Sequence, residues 1–373
     1  MGYELLTPRP PRRRLLTPRN IVLVLAALAL SLLLLFSVAP CTMPGSTSCY
    51  RGFFSPHSFD ADLALHPRWM EPIPDAAPLT SLSIPGTHDT MTYRVDVLPS
   101  PERLQCQNLN LSTQLGAGMR YFDIRARLED DALRIYHADG FTGFDLEDVL
   151  LDMFAFLDEN PSEALVVRLK EEGKPLGDSN TISFEESFNE YLHTRPATAP
   201  GAAKHMLPLY DPSTKAPIPT LGALRGKIFL LQNFKPDSDG DSDPSAPPVY
   251  RYGLEWEGPQ MALEDYWIIP DVYHLADKWV AVRTALERAA SAAPDDGLLY
   301  LAHVSASVGV LPIEAAAGPL NRTVAGMNDV TGQWARDYVG AEGATRTGVV
   351  IVDFPGRRLV EAILAWNDKL IVR

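Results

Sequence analysis

Residues 119–128 read Met-Arg-Tyr-Phe-Asp-Ile-Arg-Ala-Arg-Leu, a run in which charged and apolar side chains alternate. A strand's period of two puts Tyr121, Asp123, Arg125 and Arg127 on one face and Phe122 and Ile124 on the other. Each unpaired ion on a buried strand face costs several kcal/mol. Such a face therefore implies ion pairing, a polar cavity, or both. Outward from this run, Leu79–Ile84, Leu133–His137, Ala164–Lys170, Lys227–Gln232, Leu298–Ala302 and Gly348–Asp353 read as further short strands. Helical spacing appears at Leu146, Leu150, Met153 and Leu157 behind Asp145 as N-cap, and again at Phe184–His193, 275–292 and 357–369. Strands alternating with helices predict an α/β fold with a parallel sheet and crossover helices. About seven strands over about 300 residues suit one irregular TIM-type (β/α) barrel better than two domains.

In such a barrel the C-terminal strand ends form the active face. His88 and Asp89 follow the first strand, His137 and Lys170 end two others, and Asp353 ends the last. Two histidines with carboxylate partners suit paired general base and acid work near neutral pH. Arg and Lys suit stabilisation of a phosphate in the transition state. No serine elbow or cysteine nucleophile motif competes. The residues together point to cleavage of a phosphodiester by a neighbouring hydroxyl. His303 is a candidate for the mouth of the site, whereas His193, His205 and His274 read as surface or loop residues. Tyr266-Trp267 reads as packing rather than as a lipid-facing rim.

The wider composition narrows the setting. With 46% apolar and 21% charged residues the chain is a folded globular protein, and a net charge of -14 argues against nucleic-acid binding. Ile21–Ala39 holds no charge over nineteen residues and follows Arg9, Arg12, Arg13, Arg14 and Arg19. It is expected to be a transmembrane signal-anchor with residues 1–20 in the cytosol. Residues 40–77 then form a linker, and 78–373 a catalytic barrel outside the cell or in the lumen, secreted if the segment is cleaved. Three cysteines, Cys41, Cys49 and Cys106, allow one disulfide with the pairing open. Asn110-Leu111-Ser112 and Asn321-Arg322-Thr323 are glycosylation sequons. The acidic run at 237–248 lacks the Gly and Glu of a calcium loop and reads as a solvated loop.

Ser83-Ile84-Pro85-Gly86-Thr87-His88-Asp89 with Met91-Thr92-Tyr93 resembles the opening motif of the bacterial-type phosphatidylinositol-specific phospholipase C X-domain family. Tyr121–Arg127, Tyr136-His137, Pro161-Ser162-Glu163 with Leu169-Lys170-Glu171, Leu224–Ile228 and Gly348–Asp353 resemble its later motifs in order. The resemblance implies that His88 is the general base, oriented by Asp353, and that His137 is the acid, supported by Asp89. It implies that Arg125 contacts the phosphate with help from Asp123, and that Lys170, Asp271 and Tyr273 bind the inositol. An Arg at position 125, where calcium-dependent relatives use an acid, implies a metal-independent enzyme with no cofactor. The expected partner is a phosphoinositide-type lipid, the expected products diacylglycerol and a cyclic inositol phosphate, and the expected state a monomer. Gln232-Asn233 stands where bacterial members carry a substrate-contacting Arg, which leaves another phospholipid headgroup, such as a lysophospholipid, as an alternative. A non-catalytic lipid- or carbohydrate-binding protein on the same fold is the other alternative.

Overall fold

The computed structural model describes residues 18–38, 41, 47–94, 99–207, 217–237 and 251–371. The chain divides into two units, Met1–Ser46 and Thr47–Arg373. In the first, Pro18–Val38 is one α-helix on which Ile21, Val22, Leu23, Val24 and Leu25 are exposed. The described side chains of that helix end at Ser31, and among the described residues no helix is long and apolar enough to cross a membrane. The end of the expected span at Ala39, and residues 238–250 of the acidic loop, lie outside the described residues. Cys41 and Cys49 are disulfide-bonded, and Cys106 is a buried free thiol.

The second unit is built on a curled sheet of parallel strands. They are β1 (Ile84–Thr87), β2 (Tyr121–Glu129), β3 (Leu165–Glu171), β4 (Ile228–Asn233), β5 (Gly253–Glu255), β6 (Met261–Glu264), β7 (Leu299–His303) and β8 (Val349–Val352). Their order is β6-β7-β8-β1-β2-β3-β4-β5, so each strand lies beside its sequence neighbour. Among the described residues no ladder joins β5 to β6, and the sheet stays open at that seam. Helices separate most of the strands, as parallel connections require.

Alternation along the strands builds the layers. Ile84, Tyr121, Val166, Phe229, Leu231, Leu301 and Ile351 form one apolar cluster. Phe122, Ile124, Ala126, Val167 and Leu169, on the opposite faces of β2 and β3, pack on Leu146, Val149, Met153 and Leu157. Asp145 caps that helix in a capping box with Asp148, as its position predicts. The register aligns Asp123 with Arg168, Arg125 with Lys170, and Lys170 with Asn233. Polar side chains of three neighbouring strands therefore share one face, further along the strands than Tyr121, Val166 and Phe229. Gly86 lets β1 approach β2, because a Cβ there would stand 2.6 Å from the Cβ of Tyr121.

Three expectations change, and two strands, β5 and β6, are added. Leu79–Ser81 is a 3₁₀ turn, not a strand, and places Leu79 and Leu82 together in the core. Leu133–His137 belongs to an antiparallel hairpin (Ala132–His137 with Gly140–Asp145) on the edge of β2, so His137 arrives from outside the parallel sheet. β5 and β6 are too short to carry a readable alternation. The segment expected as a linker packs into the body from Thr47 onward, with Phe59, Met70 and Ile73 buried.

Glu163 is a structural anchor. It takes Nε and Nη2 of fully buried Arg120 at 3.0 and 2.8 Å. The other donors of Arg120 go to the carbonyls of Leu115, Met119, His66 and Pro67. Glu163→Ala would leave this guanidinium buried without a counter-ion. It is expected to cost about 3–5 kcal/mol of stability, read as a lowered midpoint in urea unfolding.

Candidate active site

The site lies at the C-terminal end of the sheet, in a cavity of about 790 Å³. β1 ends at Thr87 and delivers His88, whose backbone N–H donates to the carbonyl of Val352 at 3.1 Å. Asp89 follows in the left-handed region at φ 41°. Asp is among the few residues that visit this region readily. The turn is held by Thr92 Oγ1, which donates to the Asp89 carbonyl at 2.7 Å.

Asp89 is the hub. Its Oδ1 lies 3.0 Å from Arg125 Nε. Its Oδ2 lies 3.1 Å from His88 Nε2 and 3.2 Å from His137 Nε2. Neither imidazole meets Oδ2 in hydrogen-bonding geometry, so this oxygen is buried without a hydrogen-bond partner among the described residues. His88 Nδ1 bonds Asp353 Oδ1 at 2.9 Å, and His137 Nδ1 bonds the Leu104 carbonyl at 2.8 Å. A carbonyl only accepts, so Nδ1 of His137 carries a proton. The His88–Asp353 bond orients the His88 ring and turns its Nε2 toward Asp89 Oδ2.

Arg125 is locked by Asp123, whose Oδ2 takes Nε at 3.0 Å and Nη2 at 2.8 Å. Glu172 Oε1 stands 4.0 Å from its Nη1. Lys170 pairs with Glu172 Oε2 at 2.6 Å, and Glu172 Oε1 accepts from the backbone N–H of Ala138 at 3.1 Å. Glu172 thereby ties the end of β3 to the hairpin that carries His137. The ligand-capable atoms of His88, Asp89 and Asp123 lie within 4.8 Å of one another. The Arg125 guanidinium already takes an oxygen of each of these two carboxylates, so a fixed organic cation stands where a metal would need them.

Burial and charge separate the protonation equilibria. Burial first, then Arg125, pushes the His88 imidazole well below the usual histidine range. Burial pushes the Asp89 carboxyl up against the pull of Arg125 and His137. Burial also acts on Asp123, but Arg125 and Arg168 outweigh it and hold that carboxyl well below the usual range. Burial, then Asp89, pushes Asp353 up. Asp123 is thus the permanent anion of the group, and Asp89 and Asp353 are the carboxylates that hold a proton more readily.

The structure brings His88, Asp89, Asp123, Arg125, His137, Lys170 and Asp353 together. It does not bring Asp271 and Tyr273 to them. Asp271 is half-buried and caps a 3₁₀ turn by accepting from the N–H groups of Tyr273 and His274, and Tyr273 is 69% exposed. Asp265 and Trp267, just after β6, line the cavity instead. Tyr266, Trp267, Ile268 and Val308 are exposed, so this stretch forms a rim rather than packing. Arg168 and Glu172 were missed, although both share the face of Lys170 by the two-residue period. His303 is buried at the end of β7, its ring 5.7 Å from that of His88, and burial holds its pKa at about 4. His205, expected at the surface, is buried against Phe154 and bonds the Gly226 carbonyl.

Known proteins share this architecture. The family profile "Phosphatidylinositol-specific phospholipase C, X domain" matches residues 78–234. A "1-phosphatidylinositol phosphodiesterase" of Listeria monocytogenes is 32% identical over 307 residues, covering 80% of this chain and 84% of that protein. One of Staphylococcus aureus is 25% identical and covers 82% of this chain and 93% of its own. The solved phosphatidylinositol-specific phospholipase C from Listeria monocytogenes superposes with a TM-score of 0.63 at 29% identity, over 82% of this chain and 99% of that one. On this sequence and structural match, the chain belongs to the phosphatidylinositol-specific phospholipase C X-domain family.

Proposed function

We propose that this protein cleaves phosphatidylinositol-type lipids into diacylglycerol and a cyclic inositol phosphate. The observation that carries the reading is one buried carboxylate, Asp89, set between the two imidazoles and the locked guanidinium of Arg125, all three of which line the cavity.

His88 Nε2 takes the proton of the ring hydroxyl beside the phosphate. The resulting oxygen attacks phosphorus, and the bond from phosphorus to the glycerol oxygen breaks. His137, in its doubly protonated form, gives its Nε2 proton to that leaving oxygen. Arg125 balances the charge that grows on the phosphate oxygens, and Asp123 holds it in place without reorganisation. Asp353 keeps His88 in the reactive tautomer. Lys170, Asp265 and Trp267 meet the headgroup; Asp265 and Trp267 take the parts expected for Asp271 and Tyr273. The chemistry needs no metal, because Arg125 supplies the positive charge.

The exposed Tyr266, Trp267, Ile268 and Val308 stand at or beside the mouth and meet the lipid surface. The uncharged segment Ile21–Ala39 of the sequence acts as the membrane anchor, and the Arg-rich residues before it lie on the cytosolic side. The catalytic unit then works as a monomer at the outer or lumenal face.

His88→Ala and His137→Ala are each expected to lower turnover of phosphatidylinositol vesicles by about 10²–10⁴-fold. Full activity in both variants would remove the two-histidine mechanism. Phosphorus NMR is expected to show the cyclic product in equal amount with and without EDTA, and product that appears only with calcium would overturn the role given to Arg125. The lowered pKa of His88 also sets a sign. His88 must be neutral to act as base and stays neutral below the ordinary histidine pKa of about 6.5. The acidic limb of kcat/KM is therefore expected below pH 6.5, and a limb at or above that value would contradict the buried base.

A further inference from the structure

We infer that Arg168 is a second ligand-binding cation, distinct from the phosphate-facing Arg125, and that it selects the headgroup by its ring hydroxyls. The inference rests on the inositol-lipid reading above. Arg168 lies on β3 and lines the cavity, with its side chain 7% exposed. Three neighbours hold it. Nε and Nη2 both donate to Asn233 Oδ1, at 2.9 and 2.7 Å. Nη1 lies 3.4 Å from Asp123 Oδ1. The Trp256 ring covers one face of the guanidinium, with its centroid 3.8 Å from Cζ. Those contacts fix the plane and leave one N–H on Nη1 and one on Nη2 without a partner among the described residues.

Arg120 provides the internal contrast. It too is buried, but all its donors are taken, and it plays no part in the cavity. Leaving one of those donors unpaired would cost about 1–3 kcal/mol. Arg168 and Arg125 both keep spare donors, and both face the same cavity. Asp123 stands between them, with Oδ2 on Arg125 and Oδ1 toward Arg168. Arg125 is beside the two imidazoles and takes the phosphate. Arg168 is on the far side of Asp123 and is left for the ring. Beside it, His303 Nε2 is buried without a partner among the described residues, and Asp265 lines the wall. Spare donors on Arg168 and an acceptor on Asp265 match the hydroxyls of a polyol ring, and a site built to bond a hydroxyl rejects an analogue that lacks it.

The test compares the full-length protein with its Arg168→Ala and Arg168→Lys variants. The substrates are phosphatidylinositol and analogues each lacking one ring hydroxyl remote from the phosphate. Arg168→Ala is expected to lower kcat/KM on phosphatidylinositol about 10- to 100-fold, mostly through KM. With one of the deoxy analogues the wild-type advantage should collapse to near unity, because the bond in question is already gone. Arg168→Lys keeps the charge over Trp256 but loses the fork on Asn233. It should show the same collapse from a smaller starting loss, and it decides the matter if the alanine variant does not fold. An equal loss on every substrate, in kcat at unchanged KM, would make Arg168 a mere prop for Asp123 and overturn the inference. Failure of the wild type to cleave phosphatidylinositol would instead remove the reading beneath it, and the inference with it.

Discussion

The Asp89 carboxylate is 1% exposed, yet it faces a guanidinium with one oxygen and two imidazoles with the other. Taking an ion this far out of water costs several kcal/mol, and removing its partner would leave the cost uncompensated. The surroundings meet it by geometry. Arg125 cannot move toward Asp89 without leaving Asp123, and Asp123 is fixed by its own N–H bond to Thr90 Oγ1 at 2.9 Å. Thr90 in turn bonds Thr87 Oγ1 at 2.9 Å, at the end of β1. The turn that presents His88 and Asp89 is therefore braced by the strand that presents Asp123 and Arg125. Its strained φ is held from several sides, as a functional outlier must be.

That bracing explains why the cation is an arginine. A lysine would offer one mobile charge, whereas the planar guanidinium gives Asp123 two hydrogen bonds, from Nε and Nη2, while its Nε stays 3.0 Å from Asp89 Oδ1. The two carboxylates respond in opposite directions: burial wins at Asp89, and two arginines win at Asp123. One stays an anion and holds the Arg125 guanidinium, and the other holds a proton more readily.

Much of this was legible in the sequence wherever a residue sat on a long, regular strand. The alternation of Tyr121–Arg127 placed Asp123 and Arg125 on one face, and the same rule applied to Ala164–Lys170 placed Lys170. Applied two residues either way, it also places Arg168 and Glu172, so those omissions were of reading and not of signal. His137 was legible as a candidate but not in its placement, because nothing local distinguishes a hairpin arm from a barrel strand. Asp271 and Tyr273 came from the resemblance alone, and β6, which spans only Met261–Glu264, is too short for alternation to point to Asp265 and Trp267 instead. Segment 47–77 looked like a linker because its buried residues, Phe59, Met70 and Ile73, follow no period. They are placed by turns and by contacts distant in sequence, which a local pattern does not record.

The charge distribution completes the physical picture. The chain carries a formal charge of -14, so no long-range field draws it to an anionic lipid surface. Arg125, Arg168 and Lys170 are instead held inside the cavity, where lower dielectric strengthens the interactions of each charge. The mouth itself presents Trp267, Ile268 and Val308. Val308 is β-branched and sits at φ 82°, an outlier that costs about 1–3 kcal/mol. The short ladder of Ile268–Ile269 with Ser307–Val308 holds it there, and Gly309 passes so close that a Cβ would stand 1.9 Å from the Pro270 carbonyl oxygen. A rim that only had to tolerate water would not maintain an apolar, strained backbone at its edge. The cavity thus has an apolar, strained edge and holds its cations behind it.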